Sequence, residues 1–453
     1  MTTRPNMTRS KAARAEPTTA GRAPARRSTS GGAVLLAAVV VVLCLVGLVM
    51  VLSSSSVQAY RQYGSSWVFF RRQVLWVTLG SVVLVAMARV DYRRWRAAGV
   101  PLLGASVLLL VAVLVPGVGV SVNGSARWLG VGAWRIQPGE VAKLSLLLYC
   151  CGVLARRLDS RPDEDVRLAP VLLPFGLVGL LVMLQPDMGT TLVIGALVFA
   201  LLFVGGGRLR SMAGLTGLAV AGAFVLGIVE PYRRARMMSF LNPWADASNT
   251  GYQVVQSLVG MGTGRLVGVG VGASRAKWGF LPNAHTDFIF AIVGEEVGLL
   301  GALLLLSLFA GFAVLGIRAA GAAPDTFGRL LAVGITAWVT AQTFINIGAV
   351  VGLLPVSGVP LPFVSFGGSS LVILMAAVGM LVNITRQGAG AGSVGTITTG
   401  PALSGTTPSG RRRRTMSRER AATRGRRSIT PWPVAGAPGW RPAPCSWSAA
   451  GAQ

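Results

Sequence analysis

Charge is what this chain has least of. Only 13% of its 453 residues are charged, 52% are hydrophobic, and the mean hydropathy is +0.62. An average soluble domain is about 25% charged, and a water-soluble chain of this size could not hide so much apolar surface. An ordinary cytosolic enzyme is therefore excluded before any motif is read. Acids are scarcest, with 15 Asp and Glu against 42 Lys and Arg, a net charge of +27. Cys44, Cys150 and Cys151 lie in apolar runs and Cys445 lies near the C-terminus. None has metal-ligand spacing, and the adjacent Cys150 and Cys151 are poor disulfide partners. Histidine occurs once, at His285, and lysine three times, at Lys11, Lys143 and Lys277.

The positive charge that is present sits at the ends. Residues 1–32 carry a net +6 and residues 386–453 a net +10, together +16 of the +27. That placement argues against a nucleic-acid partner, which such a charge would otherwise suit. Both tails, 1–32 and 387–453, are too poor in apolar residues to bury a core, and composition predicts disordered basic cytoplasmic tails. Such a tail fixes topology and solubility, or is drawn to anionic lipid at about 1 kcal/mol per basic residue near the surface; both readings stay open.

Between the tails lies a hydrophobic body, 33–385. A bilayer span needs about 20 mostly apolar residues, and ten stretches qualify: roughly 33–52, 68–88, 100–115, 139–155, 170–185, 189–206, 212–229, 287–316, 330–354 and 368–384. The basic stretches 1–32, 89–96, 156–167, 208–210, 318–329 and the tail from Arg386 then fall on one side, the cytoplasm by the positive-inside rule. The expected fold is an all-α integral membrane protein of about ten transmembrane helices. Both termini are cytoplasmic, and a large extracytoplasmic loop, 230–286, joins helices seven and eight.

That loop breaks the charge rule. It carries Arg233, Arg234, Arg236, Arg265, Arg275 and Lys277 against Glu230 and Asp246. Long loops translocate regardless of charge, so the excess signals either nothing or an anion site. Its Gly260-Met-Gly-Thr-Gly264 run is no nucleotide fingerprint, because no strand–turn–helix unit surrounds it.

Ionisable residues at membrane depth are functional candidates by default. Here they are Glu140, Lys143, Asp187, Asp287, Glu295 and Glu296. Each has a structural alternative. Glu140 follows Pro138 in a first helical turn and can pair with Lys143 at i, i+3. Asp187 is placed to cap the sixth span. Glu295 is expected on the side of Asp287, and Glu296 to point away toward another helix. His285 is either a general base or a polar packing residue.

Four long motifs occur in order along the body. They are Arg127-Trp-Leu-Gly-Val-Gly-Ala-Trp-Arg-Ile-Gln-Pro-Gly-Glu-Val-Ala-Lys-Leu144, Gln185-Pro-Asp-Met-Gly-Thr-Thr191, the stretch Lys277 to Glu296, and Leu354-Pro-Val-Ser-Gly-Val-Pro-Leu-Pro-Phe-Val-Ser-Phe-Gly-Gly-Ser-Ser-Leu371. Together they resemble the SEDS family (shape, elongation, division, sporulation) over about 33–385. Ser274 to Phe280 and Tyr60 to Trp67 are closer to its division branch than to its elongation branch. Gly139 departs from the usual Ser, and Asn283 from the usual Glu.

The resemblance implies a peptidoglycan glycosyltransferase that polymerises lipid II at the division septum, on the outer face of the cytoplasmic membrane. The partners it implies are a class B penicillin-binding transpeptidase and other divisome membrane proteins. The family's essential acid matches Asp287, expected to act as general base. Lys277, Arg275, Lys143, Glu140, Arg127, Arg135, His285 and Gln137 are the expected substrate-binding residues. No cofactor is certain, and a divalent cation, Mg or Mn, stays open. A lipid II flippase and a non-enzymatic division scaffold are the competing functions.

Overall fold

In a computed structural model, residues 31–395 are described except 123–124, 132–133, 161–167, 209, 215–216, 218–239, 241 and 250. Both expected tails therefore lie outside the described residues, apart from Gly31, Gly32 and 387–395, and so does most of the seventh expected span. The helices are α1 (Gly31–Tyr63), α2 (Val68–Arg89), α3 (Trp95–Leu114), α4 (Pro138–Ser160), α5 (Ala169–Leu184), α6 (Met188–Val204), α7 (Tyr252–Gly264), α8 (Ile289–Glu296), α9 (Gly298–Gly321), α10 (Thr326–Val350) and α11 (Gly368–Gly395). Among the described residues, six stretches are long and apolar enough to cross a membrane: α1, α2, 92–114, α9, α10 and 368–389. The chain is a multi-pass, predominantly helical membrane protein, and α11 runs past the expected end near 385.

The helices pack through small residues, which let backbones approach where lipid offers no hydrophobic drive. On α11, a Cβ at Gly379 would lie 2.5 Å from Leu84 O of α2. At one end of the bundle, Asp325 caps α10 by accepting from Gly328 N (2.7 Å). It also accepts from Tyr92 Oη (2.5 Å) and pairs with Arg93 Nε (2.7 Å). Tyr92 N donates to Asn383 Oδ1 (3.2 Å) and Asn383 Nδ2 to Ala88 O (2.8 Å), so this clasp joins the α2–α3 turn, α10 and α11.

Three features depart from the expectation. A small antiparallel sheet, β1 (Val120–Val122), β2 (Ser125–Val131) and β3 (Trp134–Ile136), joins α3 to α4. The expected eighth span, 287–316, is two helices broken at Gly298 (φ 72°), and Asp287 precedes both. The backbone of 265–270 fills the break: Leu299 N donates to Arg265 O (2.9 Å) and Val269 N to Glu295 O (3.0 Å), and a Cβ at Gly298 would collide with Gly268. The expected loop 230–286 also contains a helix, α7.

The Pro- and Gly-rich segment after α10 enters the bundle. Val359, Leu361, Phe363, Val364 and Ser365 are all buried. A Cβ at Gly47 of α1 would lie 2.7 Å from Phe363 O, so α1 admits this backbone against its own. Irregular backbone at membrane depth is tolerated only where protein encloses it and its polar groups are paired. Here side chains pair it. Gln73 Nε2 donates to Ser365 O (3.3 Å), Gln342 Nε2 to Pro360 O (3.0 Å) and Asn346 Nδ2 to Val359 O (2.7 Å).

Candidate active site

Asp287 is set by a turn. Asn283 has left-handed backbone (φ 56°), a conformation that Asn tolerates better than most residues. Its carbonyl accepts from the N–H groups of Thr286 and Asp287 (both 3.1 Å) and Phe288 (3.3 Å). The departure from the family's Glu thus places a turn-forming residue at a turn. Asp287 is half-buried and lies ahead of α8, so Glu295 does not share a helix face with it. Ser365 Oγ donates to Thr286 O (2.5 Å), and Asn346 Nδ2 donates to Asp287 O (2.8 Å).

The acid has a cation close by. A Cβ at Gly358 (φ 69°) would lie 3.8 Å from Asp287 Oδ2 and 3.9 Å from Arg127 Nη1, so carboxylate and guanidinium flank one point of bare backbone. Arg127 is held from behind. Its Nε donates to Gln185 O (3.2 Å), its Nη2 to Pro186 O, and its Nη1 lies 3.9 Å from Asp187 Oδ1. Asp187 caps α6 as expected, accepting from Thr190 N (3.0 Å), and also accepts from Thr190 Oγ1 (2.9 Å) and Gln137 Nε2 (3.2 Å). Gln137 and Asp187 therefore brace the arginine.

The other expected site residues divide. Arg135 pairs across the sheet with Gly130. Side chains alternate along a strand, so Arg135 shares the face of Gly130, opposite that of Arg127. Glu140 and Lys143 do pair (2.8 Å), but their side chains are 2% and 1% exposed, beneath the site. Lys143 Nζ also donates to Gln342 Oε1 (2.9 Å) and lies 5.0 Å from the Trp338 ring centroid. Lys277 donates to Gly272 O. Arg275 is exposed, while its backbone N donates to Glu295 Oε1 (2.8 Å). Ser274 Oγ donates to Glu295 Oε2 (2.5 Å) and Ser53 Oγ to Glu296 Oε1 (2.5 Å). Glu296 thus reaches another helix, α1, as expected, and Glu295 anchors the cationic segment.

His285 is a packing residue. It is buried between Phe69 and Phe366, with ring centroids 4.9 and 5.8 Å away. Burial lowers its pKa to about 4, so it is neutral at pH 7. Among the described residues, no three His, Cys, Asp or Glu side chains group to hold a metal. A protein-only cage does not fit the site, whereas Mg²⁺ shared between one carboxylate and substrate phosphates would. Sequence reasoning missed Gly358, Gln342 and Asn346, because a buried amide or a glycine carries no charge or period to mark it.

Comparison with known proteins identifies the family. A family model described as Cell cycle protein, covering FtsW, RodA and SpoVE, matches residues 33–389. A probable peptidoglycan glycosyltransferase FtsW of Thioalkalivibrio sulfidiphilus is 42% identical over 370 residues, 81% of this chain and 90% of that protein. One of the same name from Geobacter metallireducens is 38% identical over 341 residues, 75% of this chain and 91% of that protein. A solved chain from a peptidoglycan synthase complex coordinating polymerization and crosslinking superposes with a TM-score of 0.64 at 32% identity, covering 78% of this chain and 97% of that one. With its four motifs matched in order and its body covered end to end, the chain belongs to the SEDS family of cell-cycle proteins, on the FtsW side.

Proposed function

We propose that this chain is a peptidoglycan glycosyltransferase that polymerises lipid II, with Asp287 as the general base. The observation that carries the reading is the half-exposed Asp287 carboxylate flanking Gly358 together with Arg127. The names of its relatives supply the reaction class.

The chemistry suits one acid and one cation. An acceptor hydroxyl oxygen forms a bond to the donor sugar's C1 while the bond from C1 to the diphosphate oxygen breaks. The electron pair leaves with undecaprenyl diphosphate, and the hydroxyl proton passes to Asp287. Diphosphate is a good leaving group that needs no proton, so the two-carboxylate arrangement of glycoside hydrolysis is unnecessary. Charge building on the diphosphate needs a fixed cation, since preorganised charge costs no reorganisation during the reaction; Arg127 supplies it. A divalent ion bound at Asp287 would add charge to the same leaving group. The bare backbone at Gly358 leaves the space between base and cation open.

The positive-inside count supports a site at the outer face of the cytoplasmic membrane, where the reaction would take place at the septum. The product would pass to a partner transpeptidase, as the synthase complex of the similar chain suggests. Polymerisation of lipid II by the purified protein tests the reading. Asp287→Asn keeps the shape and removes the base, and is expected to abolish glycan synthesis with normal expression and insertion. His285→Ala is expected to act only through stability. Substantial polymer from the Asn variant would remove Asp287 from the mechanism.

A further inference from the structure

The site depends on backbone that has no secondary structure to hold it. Beyond the exposed Gly358, the segment Val359 to Ser365 runs into the bundle interior, where an unpaired carbonyl costs several kcal/mol by the general rule for hydrocarbon surroundings. Three carbonyls of this segment are paired by amide side chains of two helices, Gln73 from α2 and Gln342 and Asn346 from α10. Gln342 and Asn346 are four residues apart on α10, hence on one helical face.

Asn346 differs from the other two. Its single Nδ2 donates both to Val359 O (2.7 Å) and to Asp287 O (2.8 Å). Val359 adjoins Gly358, the residue flanked by Asp287 Oδ2 and Arg127 Nη1. One amide therefore fixes the backbone on both sides of the candidate reaction space. The side chain is 2% exposed, so it is not in position to touch a lipid-linked sugar. Gln342 extends the same support backward. Its Oε1 accepts from Lys143 Nζ (2.9 Å) and from Trp338 Nε1 (2.9 Å), while its Nε2 holds Pro360 O (3.0 Å). The buried Glu140–Lys143 pair thus reaches the site through Gln342 and Pro360.

We propose that Asn346, supported by Gln342, is a positioning residue for the glycosyl transfer: by tying Asp287 O to Val359 O it sets the distance between the base and the bare backbone beside Arg127, and the Glu140–Lys143 pair acts through this clamp. The inference rests on Asp287 being the base. It assigns to the pair a different role from the substrate contact that the sequence suggested. A group that holds geometry needed only at the transition state lowers turnover and spares ground-state binding. A displacement of about 1 Å at a reacting group costs up to about a hundredfold in rate.

The test uses the full-length protein in detergent or liposomes with purified lipid II. Asn346→Ser removes the double donor, and Gln342→Met removes the Pro360 and Lys143 contacts while keeping side-chain length. Asn346→Ser is expected to lower turnover by at least about tenfold, with the half-saturating lipid II concentration within about twofold. Gln342→Met is expected to act in the same direction with a smaller loss. Hydrogen exchange should rise locally, in segments 283–288 and 356–366 alone. Wild-type turnover in a folded Asn346→Ser variant would overturn the inference, as would a raised half-saturating concentration alone. Exchange rising throughout the bundle in both variants would also overturn it, since the amides would then be general core supports. If Asp287→Asn itself remains active, the failure lies with the base and not with the clamp.

Discussion

Arg127 and Lys277 carry the same charge in different surroundings. Arg127 is braced by two backbone carbonyls and Asp187 and shares its space with Asp287. Lys277 folds back on Gly272 O within its own segment. A preorganised cation stabilises a developing charge better than a mobile one, so the structure shifts the expectation from Lys277 and Arg275 to Arg127. Arg127→Gln should lower turnover about 10- to 100-fold, the range of a charge-assisted hydrogen bond of about 1.5–3 kcal/mol. Lys277→Gln should change turnover little, and steady-state polymerisation over lipid II concentration separates the two. Glu140 and Lys143 need care in such comparisons. Breaking a buried pair strands the other charge at about 3–5 kcal/mol, so their variants lose stability together with activity.

At the scale of elements, the clasp built on Asp325 offers a pH signature. Burial by itself raises the Asp325 pKa. The hydrogen bonds from Tyr92, Gly328 N–H and Arg93, with the Arg93 charge, outweigh it and hold the carboxyl below its ordinary value. A depressed acid contributes stability above its unfolded pKa of about 3.9 and loses it as pH falls through the lower folded value. Asp325→Asn should lower the thermal midpoint at pH 7. The gap between variant and wild type should close as pH drops below about 4, and a thermal unfolding series across pH reads it directly. Much of this level was legible beforehand. The cap at Asp187, the Glu140–Lys143 pair and the helical body followed from spacing and hydropathy. The break at Gly298 was not legible, because 297–316 is apolar apart from Ser307 and carries Gly298, Gly301, Gly311 and Gly316, so the sequence does not distinguish the glycine that bends from those a helix tolerates. The sheet at 120–136 was hidden by its short strands. The burial of 359–365 was hidden because Pro and Gly signal irregular backbone without saying whether water or protein surrounds it.

On the scale of the whole molecule, every residue of the candidate site lies between Arg127 and Ser365, within the hydrophobic body and outside both basic tails in sequence. Deleting 396–453 is therefore expected to leave in-vitro polymerisation within about twofold of the full chain, given correct insertion, since every matched motif lies before residue 386 and parts that share no partners contribute separately. Loss of polymer from that variant would make the tail part of the enzyme. The way the site is divided along the chain also orders events in time. Arg127 and Asp187 are synthesised first, Asp287 later, and Asn346 with the inward-running segment 359–365 only after most of the chain has left the ribosome. A partly made chain thus holds the cation and even the acid without the amide and backbone that bring them to one place. If Asp287 and Arg127 act together as proposed, a chain that still lacks Asn346 and 359–365 is expected to make no polymer.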